Sequence, residues 1–135
     1  MANEVQSTGG GGSGGSSLPT ASVANALSRF RSLTVNSTAQ AIKASAGNLY
    51  GFNIINLHTS AIYIKFYNIA AAGVNPASDT PIKTLLVPAN GAIYQDPSSI
   101  QTSFTTALSV RAVTESGDTG TTAPGSLPII EIEYL

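Results

Sequence analysis

The chain has 135 residues, of which 42% are hydrophobic and only 10% charged, and its formal net charge is −1. One domain of common size fits that length, and the thin scatter of charge excludes the basic stretch that a row of phosphates or an anionic membrane surface requires. The absence of cysteine excludes disulfides and thiolate metal sites and suits synthesis in a reducing compartment.

A typical soluble domain has about 25% charged residues, so this surface has to be built from Ser, Thr, Asn, Gln and small apolar groups. Such groups are cheap to desolvate when they find a partner, far cheaper than an unpaired charge. The composition therefore favours a chain whose exterior becomes part of a larger contact. The opening residues, Met1-Ala2-Asn3-Glu4-Val5, have neither the basic nor the apolar region of a secretory signal. No apolar run approaches the roughly 20 residues needed to span a bilayer. The expectation is synthesis in the cytoplasm with no membrane partner and no nucleic-acid partner.

In chain order, residues 1–19 read as a flexible arm. Gly9-Gly10-Gly11-Gly12-Ser13-Gly14-Gly15-Ser16-Ser17 is a low-complexity linker that cannot bury enough surface to offset its ordering entropy. Over residues 20–31, Val23, Leu27 and Phe30 recur at helical i, i+4, i+7 spacing after the start signals Pro19 and Thr20. A short amphipathic helix is expected there, with an extended anchoring strap as the alternative. In both cases these three side chains need a surface to cover.

Residues 32–135 read as strands. From Ala61 to Asn68, Ile62, Ile64 and Phe66 alternate with Tyr63, Lys65 and Tyr67; near the end, Ile130, Ile132 and Tyr134 alternate with Glu131 and Glu133. The run from Gly47 to Leu57 is apolar on both faces, which predicts a central strand. Shorter candidates are Leu33–Val35, Ala39–Lys43, Ile82–Val87, Ala92–Gln95 and Ala107–Val113. Turn residues separate them, and Asn90-Gly91 is a hairpin signal of the positive-φ kind. About eight short strands at this spacing predict an all-β sandwich or jelly roll in a single domain. The Thr/Gly/Ser/Pro stretch Thr114–Leu127 is expected to be an exposed, variable contact loop.

Chemistry-bearing constellations are sparse. His58 is the sole histidine, so a transition-metal site would need several carboxylates around it. No Gly-x-Ser-x-Gly elbow occurs on a strand-to-helix turn, and the glycine run neither follows a strand nor carries the Gly-Lys-Ser/Thr of a phosphate loop. Glu131 and Glu133 share a strand face at about 7 Å, near a glycosidase spacing, but a solvated face that blunts edge pairing explains them better. Asp118, in Ser116-Gly117-Asp118-Thr119-Gly120, has too few acidic neighbours for a calcium loop. The tyrosines Tyr50, Tyr63, Tyr67 and Tyr94 suit either sugar stacking or protein contact. No catalytic residue and no cofactor is expected; Val23, Leu27, Phe30, Tyr63 and Tyr67 are the candidate assembly-interface residues.

One stretch carries a resemblance. Ala41-Ile42-Lys43-Ala44-Ser45-Ala46-Gly47-Asn48-Leu49-Tyr50-Gly51-Phe52-Asn53-Ile54, then Tyr63-Ile64-Lys65-Phe66-Tyr67-Asn68, then Thr80-Pro81-Ile82-Lys83-Thr84-Leu85-Leu86-Val87-Pro88-Ala89-Asn90-Gly91 resembles a pattern of small tailed-bacteriophage virion proteins. In that pattern a K-x-x-x-G-x-L-Y-G strand precedes a Y-x-K-x-Y strand and a T-P-x-x-T-x-x-V-P-x-x-G segment. The likeness covers roughly Gln40 to Leu135 and not the arm. It implies a β-sandwich, often trimeric, serving as a capsid decoration (cement) protein bound to the major capsid protein or another virion protein. A head-fibre, tail or neck component, or a glycan- or receptor-binding virion module, is the alternative. The expected destination is the virion, after synthesis in the host cytoplasm.

Overall fold

The computed structural model describes residues 26–98 and 101–135; the expected arm and Val23 lie outside the described residues. Among the described residues there are nine strands: β1 (Ser28–Ser32), β2 (Gln40–Lys43), β3 (Gly47–Ile55), β4 (Ile62–Tyr67), β5 (Lys83–Val87), β6 (Ala92–Gln95), β7 (Thr102–Phe104), β8 (Leu108–Val113) and β9 (Ile129–Tyr134), with a single 3-10 turn at Ala71–Gly73. The chain is all-β, as its alternating pattern predicts.

Two antiparallel sheets form. One has the order β1-β9-β3-β6, with the short β7 also pairing on β3; the other has the order β2-β8-β4-β5. The pairings β1 with β9, β2 with β8, β3 with β6 and β4 with β5 are nested around one another. Nested pairs split between two sheets in this way are the wiring of a jelly roll, and β7 is an addition to it.

Inward-facing residues meet between the sheets. Leu49, Phe52 and Ile54 from β3 and Ile130 and Ile132 from β9 pack against Ile62, Ile64 and Phe66 from β4 and Leu108, Val110 and Ala112 from β8. The β4, β8 and β9 sets recur at every second residue, as do Phe52 and Ile54. A register shift between Leu49 and Gly51 brings Leu49 to the same face, and the intervening residues are forced outward. Fully burying one such side chain contributes about 1.5–3 kcal/mol, which ties register to stability: a one-residue slip would turn a whole set outward.

Three expectations change. The helix over residues 20–31 is absent where it can be checked, since Ser28–Ser32 is strand β1. Arg29 and Arg31 alternate with Phe30 and Ser32, and they lie opposite Glu133 and Glu131 of β9; this period-2 pairing overrides the helical spacing of Leu27 and Phe30. The sandwich therefore begins by Ser28 rather than Ser32. Leu33–Val35 is not a strand but the crossing from one sheet to the other, where Val35 enters the core. Asn90 does adopt a positive φ of 51°, and the Pro88 carbonyl accepts from the Gly91 N–H at 3.1 Å. That turn, however, joins β5 and β6, which belong to different sheets, so it is a sheet-to-sheet corner and not a hairpin.

Candidate functional site

The outer face of the β2-β8-β4-β5 sheet holds the densest polar chemistry. Lys65 on β4 lies directly opposite Arg111 on β8, and both are 0% exposed. Two adjacent cations are unfavourable unless strong acceptors meet them. Here the acceptors are backbone carbonyls of the loop after β8. The Lys65 ammonium donates to the Ser116 oxygen at 3.1 Å and to the Gly117 oxygen. The Arg111 guanidinium donates through Nη1 to the Gly120 oxygen at 2.6 Å and through Nη2 to the Asp118 oxygen at 3.1 Å.

Tyr67, one position diagonal to Arg111, completes the cluster. Its hydroxyl accepts from Arg111 Nε at 2.8 Å, and the guanidinium carbon sits 5.5 Å from its ring centroid, within range of a cation–π contact. Desolvation, reinforced by the neighbouring Arg111 charge, holds the Lys65 pKa below the ordinary lysine value, while Asp118 and Glu115 pull it back up. Glu115 does not pair with either cation: its Oε1 accepts from the Thr122 N–H at 3.1 Å, and hydrogen bonding from Thr122 lowers its pKa.

The loop is closed at its base, where the Thr114 N–H donates to the Thr122 oxygen at 2.9 Å, and is turned at its tip by Gly120 N–H to the Gly117 oxygen at 3.2 Å. Gly120 is required for this closure: a Cβ there would come within 2.5 Å of the Glu115 Cβ. Part of the stretch expected to be a variable contact loop is thus folded down on the sheet and held by buried charge. Its outer residues Ser116–Thr119 remain exposed.

The candidate interface residues do not form one patch. Phe30 turns inward and packs on the core. Leu27 is half-buried just before β1. Tyr63 and Tyr67 share the outer face of β4, but Tyr67 is 0% exposed under Arg111 and so has no surface to offer a partner in the single chain. Tyr63 is half-buried and lies opposite Leu86 of edge strand β5. Tyr94, one of the four tyrosines weighed for contact, is exposed, and sequence reasoning missed the exposed Leu33, Leu57, Ile82 and Leu86. Within the strand expected over Ile82–Val87, the alternation of Ile82, Thr84 and Leu86 against inward Leu85 and Val87 was the available signal for the two that lie in it.

The opposite outer face, on β1-β9-β3-β6, neutralises its own charge. Arg29 donates to Glu133 and Arg31 to Glu131, each at 3.1 Å. The glycosidase-like spacing of the two glutamates is therefore occupied by arginines. The registers place Arg31, Glu131, Asn53 and Tyr94 in one row across the four strands. His58 lies half-buried at the β3–β4 turn, and among the described residues no group of three His, Cys, Asp or Glu side chains is placed to hold a metal ion.

No family model, no curated protein and no solved structure matches the chain.

Proposed function

We propose that this chain is a bacteriophage virion structural protein, most simply a capsid decoration protein that attaches to the head shell through its β-domain and its N-terminal arm. The observation that carries the reading is the set of exposed apolar side chains on a jelly roll whose Arg29, Arg31, Lys65 and Arg111 are engaged by acceptors of its own. Leu86 is 54% and Ile82 51% exposed on one sheet, and Tyr94 is 68% exposed on the other. Isolated exposed leucines are ordinary, but here Leu86 lies on edge strand β5 opposite Tyr63, with Ile82 just before that strand, where a partner could cover them. The quoted virion-protein pattern and the capsid use of jelly rolls favour the same reading, with fold analogy alone selecting no function.

In this proposal the partner is the major capsid protein or another virion protein, the chain acts as a homotrimer, and it performs no catalysis. Quantitative mass spectrometry of purified particles tests it. Hundreds of copies per particle support a shell role; a dozen or fewer would move the chain to the neck or tail; its absence from the particle would end the proposal. Deleting residues 1–19 should weaken attachment while leaving the domain folded, and equal binding by the truncated chain would exclude the arm from the role.

One observation favours a glycan-binding virion module as the second reading. The row Arg31, Glu131, Asn53 and Tyr94 sets hydrogen-bonding groups beside an exposed aromatic ring, a combination that suits a sugar. Retention on a glycan array, lost on Tyr94→Ala, would support it.

A further inference from the structure

The loop over residues 114–122 contains only Thr, Glu, Ser, Gly and Asp. It has no large apolar side chain whose burial could order it, and glycine-rich polar sequence is costly to immobilise. Yet four of its carbonyls, from Ser116, Gly117, Asp118 and Gly120, are turned toward the sheet. Converging backbone carbonyls are the ligand chemistry of hard cations such as calcium. Here the positive charge comes from the sheet itself.

We propose that residues 114–122 form a cation-binding loop whose resident cation is the chain's own Lys65 ammonium, and that removing this ammonium leaves a site for a small external alkylammonium. Lys65 fits the role better than Arg111. An ammonium is a compact point charge, like an ion, whereas the guanidinium is planar and directional and is already committed on one edge to the Tyr67 hydroxyl. Arg111 instead fixes the far half of the loop, through Asp118 and Gly120. The loop's carboxylates stay outside: Glu115 is taken by the Thr122 amide, and Asp118 is exposed. The loop thus keeps its shape without any dissolved ion, and a buried contact of this kind is screened little by salt.

Hydrogen exchange at the amides of Thr114, Gly120 and Thr122, each bonded within the loop, tests this on the full chain. In the unaltered protein these amides should be protected, and neither a chelator, calcium chloride nor sodium chloride should change them. Lys65→Ala should speed their exchange about a hundredfold, the loss of charged hydrogen bonds at roughly tenfold per 1.4 kcal/mol. Propylammonium, which replaces the missing carbons and nitrogen, should restore the protection. Lys65→Met fills the space with a neutral chain and should lose protection beyond rescue. The proposal is overturned by unchanged exchange in Lys65→Ala, by restoration with calcium but not propylammonium, by a loss that propylammonium leaves in place, or by an effect of chelator on the unaltered protein. Should Lys65→Ala fail to fold, Lys65→Met with unaltered loop exchange would overturn it equally.

Discussion

Asn56 shows how much a single amide can hold. It is 1% exposed, and its Nδ2 faces three carbonyl oxygens, of Ser60 at 2.9 Å, Val87 at 3.2 Å and Pro88 at 3.0 Å, while its Oδ1 accepts from the His58 N–H. Those contacts tie the β3–β4 turn to the β5–β6 corner. Asn56→Ala leaves these groups without partners and should cost about 1–3 kcal/mol, read as a lower urea midpoint at unchanged slope. Gly51 is constrained by space instead: a Cβ would lie 2.9 Å from the Gln95 oxygen, the Pro97 nitrogen and Glu133 Oε1. Gly51→Ala therefore overpacks the sheet at the β3–β9 register shift, and a loss of about 1–3 kcal/mol is expected. A loss below experimental error would show that β3 can shift to make room. Lys65 adds a pH dependence. Its pKa is lowered from 10.5 by desolvation, so between that lowered value and 10.5 the unfolded chain binds more protons than the folded one. Stability from this group is flat below the window and rises with pH across it. Urea midpoints of the unaltered protein should gain on those of Lys65→Met as the medium becomes alkaline; a shrinking gap would mean the sign is wrong.

At the scale of elements, strand pairing was legible where alternation was strong and illegible where charge or tertiary contacts set the conformation. Ile62–Tyr67 and Ile129–Tyr134 carry clean period-2 patterns in β-branched and aromatic residues, and both emerge as central or near-central strands. Strand β1 was hidden because Phe30 is its main apolar residue; its register sets Arg29 and Arg31 opposite glutamates a hundred or more positions away. Strand β7 has three residues and too little pattern to show alternation. The buried site was less legible still. Nothing local in Tyr63-Ile64-Lys65-Phe66-Tyr67 distinguishes a solvated lysine from one whose acceptors are carbonyls from a loop some fifty residues on. The same contrast predicts unequal mutational costs within β1. Arg29 and Arg31 are largely exposed, and exposed ion pairs contribute about 0–1 kcal/mol. Arg29→Ala should therefore barely move the thermal midpoint, whereas removal of the whole strand bares the β9 edge. An uncovered edge invites pairing between chains, so a chain starting after Ser32 should associate or precipitate while one starting at Ala26 stays dispersed in light scattering.

For the whole molecule, the distribution of charge predicts how any assembly would respond to salt. Of the six basic residues in the sequence, Arg29 and Arg31 are paired with glutamates, and Lys65 and Arg111 are buried against carbonyls. Few cations remain to make contacts with a partner, and the large exposed side chains include the apolar Leu86 and Tyr94. Contacts built on apolar area depend on salt far less than contacts built on exposed charge, which lose most of their strength beyond a Debye length of about 8–10 Å. If the chain attaches to a shell through these surfaces, the amount bound should stay level as sodium chloride rises from roughly 0.05 to 0.5 M. It should fall instead on Leu86→Lys, which places a charge where the edge of β5 would be covered. A steep loss of binding with salt, and indifference to Leu86→Lys, would assign the attachment to charged groups and remove the exposed apolar edge from the interface. Thermal unfolding of the isolated Leu86→Lys chain separates the two effects, since a residue half in water leaves the core intact when it is exchanged.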